Sequence, residues 1–292
     1  MKIVYVILHY NAYEMTKECV ESLKKIKSNE SEIVLVDNHS SNNSGVLLES
    51  DYQADRDVHI IVNNQNLGFA EGNNIGYRYA RQMLKADIVV DINNDILIQQ
   101  PDFEESLLRL AETREVAVVA PKTINRENIN QNPLRKKPLT TKTLIKRLIY
   151  NSVFEVCCHN VVLHKLFKTV HIKRKERIQR DAQRAIRTEH ELYDVIPHGA
   201  CVIFLPEYIR VSENAFPPIT FFYGEEDVLF DYLTINGMHT LYTDALTVYH
   251  MEKVSTSTVG NETIQRDLFI CGNMKRSILA LLKYRKENNI CR

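Results

Sequence analysis

No run of about 18 apolar residues occurs in the sequence, so no helix is expected to cross a bilayer. The opening MKIVYVILHYN has one lysine and a short apolar run but no small-residue cleavage site. It reads as a first core strand, and no signal peptide is expected. Cys19, Cys157, Cys158, Cys201, Cys271 and Cys291 never fall at CxxC spacing. Neither a zinc cage nor a disulfide framework is indicated, and a reducing cytoplasm fits. The chain has no GxGxxG and no P-loop lysine, which excludes those two phosphate cradles. It also has no internal repeat and no low-complexity tract. Net charge is lacking too, with 37 Lys and Arg against 37 Asp and Glu, but the balance hides a division. Residues 134–190 hold 15 basic and 4 acidic side chains, leaving 22 basic and 33 acidic elsewhere. A basic block therefore faces an acidic body.

What is present is a chain of 292 residues with 44% apolar content. That suits one large domain, or one domain with an appendage. Short β-branched runs at Lys2–Leu8, Glu32–Val36, Val58–Val62 and Ile88–Ile92 read as buried strands. Helical spacing at Thr16–Ile26 and Gly68–Arg81 alternates with them, which predicts a parallel α/β sheet. Further on, Pro101–Thr113 reads as a helix, Val116–Ala120 as a strand, Val195–Leu205 as a strand with a small-residue turn at Gly199-Ala200, Val228–Asn236 as a helix stopped by Gly237, and Thr240–Val248 as a strand. Asp267–Tyr284 is a last amphipathic helix. Leu139–Phe167 mixes apolar and basic residues, His171–Arg187 reads as a solvated helix or mobile segment, and Lys253–Thr258 as a polar tail.

Each of the first four strands ends in Asn, Asp, His or Ser. In one parallel sheet these ends share an edge, where open α/β sheets place their ligands. The most telling end is Asn93-Asn94-Asp95, in VVDINNDILI. Its carboxylate can hold a hard cation, although Asn and Asp are also ordinary turn residues. Asp37 in VDNHSS reads either as a contact to a base or ribose or as a turn cap. NLGFAEGNNIG has three glycines in eleven residues, and a helix start there favours an anion such as a diphosphate. Glu225-Glu226-Asp227 opens a helix. It serves either as dipole compensation or as a general base, since crowding raises a carboxyl pKa. His250 is a structural histidine, a metal ligand or a phosphate contact.

Taken in order, VILHYNAYEMTKECVESL, VDNHSS, NLGFAEGNNIGY, NNDILI, FFYGEEDVLFDYLTINGM and VYHMEKVST resemble bacterial glycosyltransferase family 2, in particular its rhamnosyl- and galactosyl-transferase-like branch of surface polysaccharide synthesis. The likeness covers roughly residues 1–121 and 195–285. It implies a GT-A fold, a Rossmann-like mostly parallel sheet flanked by helices. The expected halves are 1–121 for the nucleotide-sugar and 195–292 for the acceptor, with 122–194 a basic helical insertion. It implies an inverting transfer from a nucleotide-diphospho-sugar to a glycan or lipid-linked acceptor in capsule, O-antigen or cell-wall synthesis. Asp37 matches the family's nucleoside-reading acid, and Tyr10 and Asn11 its base-contacting loop. Asn66, Gly68 and Asn73 lie in the motif beside the donor. Asn93-Asn94-Asp95 stands at the DxD position with its first Asp replaced. Asp95 is left for Mg2+ or Mn2+, with His250 a candidate second ligand and Asn94 beside the donor. The family's ED pair falls within Glu225, Glu226 and Asp227. Counting back from Gly237 favours Glu226 as base, and aligning the Asp itself favours Asp227.

Two other classes remain. A non-catalytic sugar- or nucleotide-binding module is supported by the missing first Asp. A sugar nucleotidyltransferase would need an N-terminal glycine-rich motif, and Val6–Asn11 has no glycine. For the basic block, apolar and basic residues together suit peripheral contact with an anionic inner membrane face; a solvated helical insertion packed on the acidic body is the alternative. No nucleic-acid motif accompanies the charge, so no nucleic-acid partner is expected.

Overall fold

The computed structural model describes residues 1–168, 189–252 and 263–292. The expectations for His171–Arg187 and Lys253–Thr258 lie outside the described residues. Along the chain, β1 (Ile3–His9), α1 (Tyr13–Ile26), β2 (Glu32–Asp37), α2 (Ser44–Tyr52), β3 (Val58–Val62), α3 (Gly68–Gln82), β4 (Ile88–Asn93) and β5 (Ile96–Leu97) build the first half. There follow α4 (Phe103–Thr113), β6 (Val118–Asn125), α5 (Thr141–Cys158), α6 over 161–168, β7 (Glu191–Tyr193), β8 (Cys201–Phe204), α7 (Pro206–Val211), α8 (Glu225–Ile235), β9 (Thr240–His250) and α9 (Thr263–Glu287).

One mixed sheet runs β3-β2-β1-β4-β8-β6-β9-β5, with β7 on the flank of β9. Strands β3, β2, β1 and β4 are parallel, so their carboxyl ends do share one edge. β8 enters antiparallel between β4 and β6, and β6 then runs parallel to β9. The parallel strands read as continuous apolar runs because both faces are covered. Ile3, Tyr5 and Ile7 of β1 join the cluster shared with α1 and α4. Val4 and Val6 point to the other face, with α3, α7 and α8. Each such Val, Ile or Leu contributes about 1.5–3 kcal/mol of burial.

Two glycines set how closely α3 lies on the sheet. A Cβ at Gly72 would come within 2.7 Å of Leu8 Cδ1, and one at Gly76 within 2.4 Å of Val6 Cγ1. α8 is anchored from behind. Its buried Asp231 takes Arg285 Nε of α9 at 2.5 Å and Arg292 Nη1 at 2.9 Å. The loop ahead of α8 is pinned as well. Asn74 of α3 accepts from Phe216 N and donates to Phe216 O, both at 2.9 Å, and Ser277 of α9 donates to Phe222 O at 2.9 Å.

The small-residue turn expected at Gly199-Ala200 is present at 198–200, and the strand after it is Cys201–Phe204. Leu139–Phe167 is two helices. The chain breaks after α5, and Asn160 Oδ1 accepts Val162 N at 3.0 Å and Leu163 N at 3.1 Å, capping α6. α2, α7 and β7 were not foreseen. The stop at Gly237 is as expected, with positive φ and Met238 N bonded to Leu233 O. All six cysteines are free. Among the described residues no helix is long and apolar enough to cross a membrane.

Candidate active site

The shared edge gathers the strand-end residues into a hydrogen-bonded rim. Asn11, in the left-handed region at the end of β1, accepts Ser41 N at 2.8 Å, and its own N–H donates to Ser40 Oγ at 2.9 Å. The first loop is thereby stapled to the second. Tyr10 stands half-buried beside it. Asp37 is buried and accepts Ser40 Oγ at 2.5 Å and Ser40 N at 3.2 Å. His9 sits beneath, with Nδ1 2.7 Å from Thr16 Oγ1 and Nε2 2.7 Å from Ser44 Oγ. Thr16 gives its own proton to Ala12 O, so His9 Nδ1 is the donor to Thr16. Burial lowers the His9 pKa to about 4 against the pull of Asp37, so the ring is neutral.

The turn into α3 depends on Asn38, which was not singled out from sequence. Its Nδ2 donates to Gly68 O at 2.9 Å and Asn66 Oδ1 at 3.2 Å; its Oδ1 accepts Leu67 N at 3.0 Å and Asn63 Nδ2 at 3.2 Å. Asn66 Oδ1 in turn accepts Gly68 N at 2.9 Å, and Phe221 O accepts Phe69 N at 2.7 Å. The expectation that this helix start offers open backbone donors to a diphosphate is not met at those two positions, because both N–H groups already have partners. Asn73 is fully buried, and among the described residues neither polar atom of its side chain finds a hydrogen-bond partner.

At the end of β4, Asn94 turns its amide to α1 and donates to Thr16 Oγ1 at 3.0 Å. Asp95 faces β9 instead. Its Oδ2 lies 3.2 Å from His250 Nε2, and its carbonyl accepts Met251 N at 2.8 Å. Behind His250 stands Gln131, whose Oε1 is 2.7 Å from His250 Nδ1 and whose Nε2 donates to Glu252 Oε1 at 2.6 Å. A carboxylate only accepts, so Glu252 fixes which end of the Gln131 amide meets the imidazole. With its proton on Nδ1, His250 would present an Nε2 lone pair to Asp95, and the two could share a metal ion; doubly protonated, it makes the same contact as an ion pair. One nitrogen and one carboxylate oxygen suit a divalent ion such as Mn2+. Among the described residues no group of three or more His, Cys, Asp or Glu side chains forms a closed metal cage, so a bound ion would keep positions open for ligand oxygens.

The carboxylates at the start of α8 divide by surroundings. Asp227 is buried against Arg135 Nη2 at 2.6 Å. Glu225 is buried, and desolvation followed by the neighbouring Glu226 raises its pKa to about 8. Glu226 is also raised by desolvation, and its carboxylate faces Gly199, where a Cβ would come within 2.9 Å of Oε1.

The turn at 198–200 joins these parts. His198 lies 5.6 Å from the His250 ring, nearly perpendicular to it. Gly199 abuts Glu226, and Ala200 O accepts Asn93 N at 2.9 Å. The Asp95–His250 pair and Glu226 thus lie on two sides of one three-residue turn. Burial, then His250, lowers the His198 pKa to about 4. Its Nδ1 accepts Ala200 N at 3.2 Å, so the proton of the neutral ring is on Nε2. His198, Gln131, Arg135 and Asn38 were all missed from sequence. The one available signal for His198 was a His beside the small-residue pair Gly199-Ala200 ahead of a strand.

Comparison with known proteins agrees with this architecture. The Haloferax volcanii low-salt glycan biosynthesis hexosyltransferase Agl10 is 29% identical over 130 residues, which cover 44% of this chain and 39% of that relative. The match therefore spans well under half of that relative's length. The fold resembles S. aureus TarS 1–349 in complex with UDP-GlcNAc, with TM-score 0.52 and 14% identity over 87% of this chain and 60% of that one. It also resembles the mannosyltransferase PcManGT from Pyrobaculum calidifontis in complex with GDP-Man and Mn2+, with TM-score 0.54 and 13% identity over 98% of this chain and 75% of that one. At such identities the likeness carries the fold alone, and it bears out the GT-A expectation. The model of the Glycosyl transferase family 2 domain matches residues 5–170, more than half of the chain. This protein belongs to glycosyl transferase family 2.

Proposed function

We propose that this protein is an inverting glycosyltransferase moving a sugar from a nucleotide-diphospho-sugar to a glycan or lipid-linked acceptor in surface polysaccharide synthesis. The observation that carries the reading is the 198–200 turn, which has the Asp95–His250 pair near His198 and a carboxylate of raised pKa, Glu226, against Gly199. In this reading residues 1–121 bind the donor, 195–292 receive the acceptor and 122–194 are inserted between them. Asp37 and the Tyr10-Asn11 loop take the nucleoside, while Asn66, Gly68, Asn73 and Asn94 shape the donor side. Asp95 and His250 would hold Mg2+ or Mn2+, which when bound offsets charge on the diphosphate.

Glu226 takes the proton of the acceptor hydroxyl as that oxygen bonds to the anomeric carbon. The bond from that carbon to the diphosphate breaks, and the nucleoside diphosphate leaves with the electron pair. Attack from the face opposite the diphosphate inverts the centre. A carboxylate whose pKa lies above the usual range is the better base at neutral pH. Asp227 is less suited, because its carboxylate is already paired with Arg135.

The test is a donor screen. Purified protein with Mn2+ or Mg2+ is given UDP-, dTDP- and GDP-sugars, with and without a lipid-linked acceptor, and nucleoside diphosphate release is followed. Release from one donor that EDTA and Glu226→Gln both suppress is the expected result. Release unaffected by EDTA would keep the transferase and remove the metal. Donor binding without turnover, even with lipid-linked acceptors, would instead make the protein a binding module, the reading that Asn93 at the first DxD position favours.

A further inference from the structure

The surface changes character along α5 and α6. On α5, Ile145, Ile149, Val153 and Val156 are 45%, 58%, 46% and 70% exposed. Their spacing of four, four and three residues puts them on one helical face. The other face, with Leu144, Phe154 and Cys158, is buried in the clusters it forms with α9. α6 also exposes aliphatic side chains, with Val162 74% and Leu166 64% exposed. Single exposed aliphatics are ordinary, but a four-residue stripe along α5 marks an interaction surface.

The charge on these two helices is mostly basic. Residues 139–168 contain five basic side chains and one acidic one, Glu155. Glu155 faces inward and pairs with Lys275 of α9. Lys142, Lys146 and Lys165 are exposed. Lys142 precedes Ile145 and Ile149 by three and seven residues, which puts it on the same face.

We infer that the α5–α6 hairpin docks on an anionic lipid bilayer, its aliphatic stripe entering the interface and its lysines meeting phosphate headgroups. The combination selects this occupant. A bilayer accepts the aliphatic groups and the cations together, because lysine stems lie along apolar surface while the ammonium reaches the headgroups. A second copy of this chain on the same face would set lysines against lysines. A dissolved polyanion would answer the lysines and leave the aliphatic stripe in water. The inference stands on the hairpin alone, whatever sugar the enzyme transfers.

The experiment is vesicle flotation with the full chain, using phosphatidylcholine vesicles with and without phosphatidylglycerol, at low and high salt. Flotation only with phosphatidylglycerol, weakened by salt, is expected. The double variant Ile149→Glu, Val153→Glu should bind about tenfold or more weakly, with an unchanged circular dichroism spectrum because both positions are exposed. Lys142→Glu, Lys146→Glu should abolish the preference for phosphatidylglycerol. Failure to float with any vesicle would overturn the inference, as would equal flotation of the Ile149/Val153 variant. A wild-type dimer in light scattering that this variant dissociates would assign the stripe to self-association instead and equally overturn it.

Discussion

Gln131 Oε1 lies 2.7 Å from His250 Nδ1, and the two residues are 119 positions apart. The contact orients the imidazole of His250, the proposed metal ligand, with its Nε2 3.2 Å from Asp95 Oδ2. Replacing Gln131 by Leu keeps the bulk and removes the acceptor. The imidazole is then free to place its proton on Nε2, toward Asp95, where it competes with a metal. Mn2+ affinity should fall about 10- to 100-fold, measured by titration calorimetry or Mn2+ electron paramagnetic resonance on folded protein. Unchanged affinity would mean that Gln131 does not orient the ligand.

Glu226 and Asp227 are adjacent but should respond differently. Glu226→Gln keeps the shape and removes the proposed base, so kcat should fall about 100-fold or more with donor affinity and stability retained. Asp227→Asn leaves the Arg135 guanidinium without its charged partner. It should cost about 3 kcal/mol of unfolding free energy, read by urea denaturation. A large kcat loss in Asp227→Asn, with full stability and with Glu226→Gln active, would reverse the assignment.

The parallel half of the fold was legible because buried β-branched runs and helical spacing are local signals. The positions of Asp37 and Asp95 at the sheet edge were readable for a related reason: Asp37 closes β2, and Asp95 stands two residues past the end of β4. α2 was not readable. Its SGVLLESDY leaves Val46 and Leu47 exposed while Ser44 and Gly45 are buried, so no apolar stripe marks it. The second half of the site was hidden by topology. His198 and Glu226 meet the β4 end only because β8 inserts antiparallel beside β4, and no spacing rule encodes that pairing. The choice between Glu226 and Asp227 stayed open for the same reason, since Arg135 comes from a distant segment.

Asn38 holds the Asn63–Gly68 segment by four hydrogen bonds, two given and two accepted. Asn38→Ala would strand Leu67 N–H and Gly68 C=O at a buried turn. The cost should be about 2–3 kcal/mol, and the donor KM should rise because this turn opens α3 beside the proposed donor site. A variant with wild-type stability and KM would show that the turn holds itself without Asn38.

Glu225 links stability to pH. Burial, then Glu226, raises its folded pKa from 4.5 to about 8. The folded state therefore binds the proton more tightly than the unfolded chain. The resulting stabilisation is fully present below the unfolded value and is lost as pH rises through the folded one. Between about pH 5 and about pH 9 the wild type should lose stability through this group. Glu225→Gln mimics the protonated form and has nothing to ionise. Its Tm should exceed that of the wild type by about 2 °C or more at alkaline pH, and the gap should close on acidification. Thermal unfolding of the two proteins across that range is the measurement. A gap that does not change with pH would mean that Glu225 is charged in the fold throughout, with its partner yet to be identified.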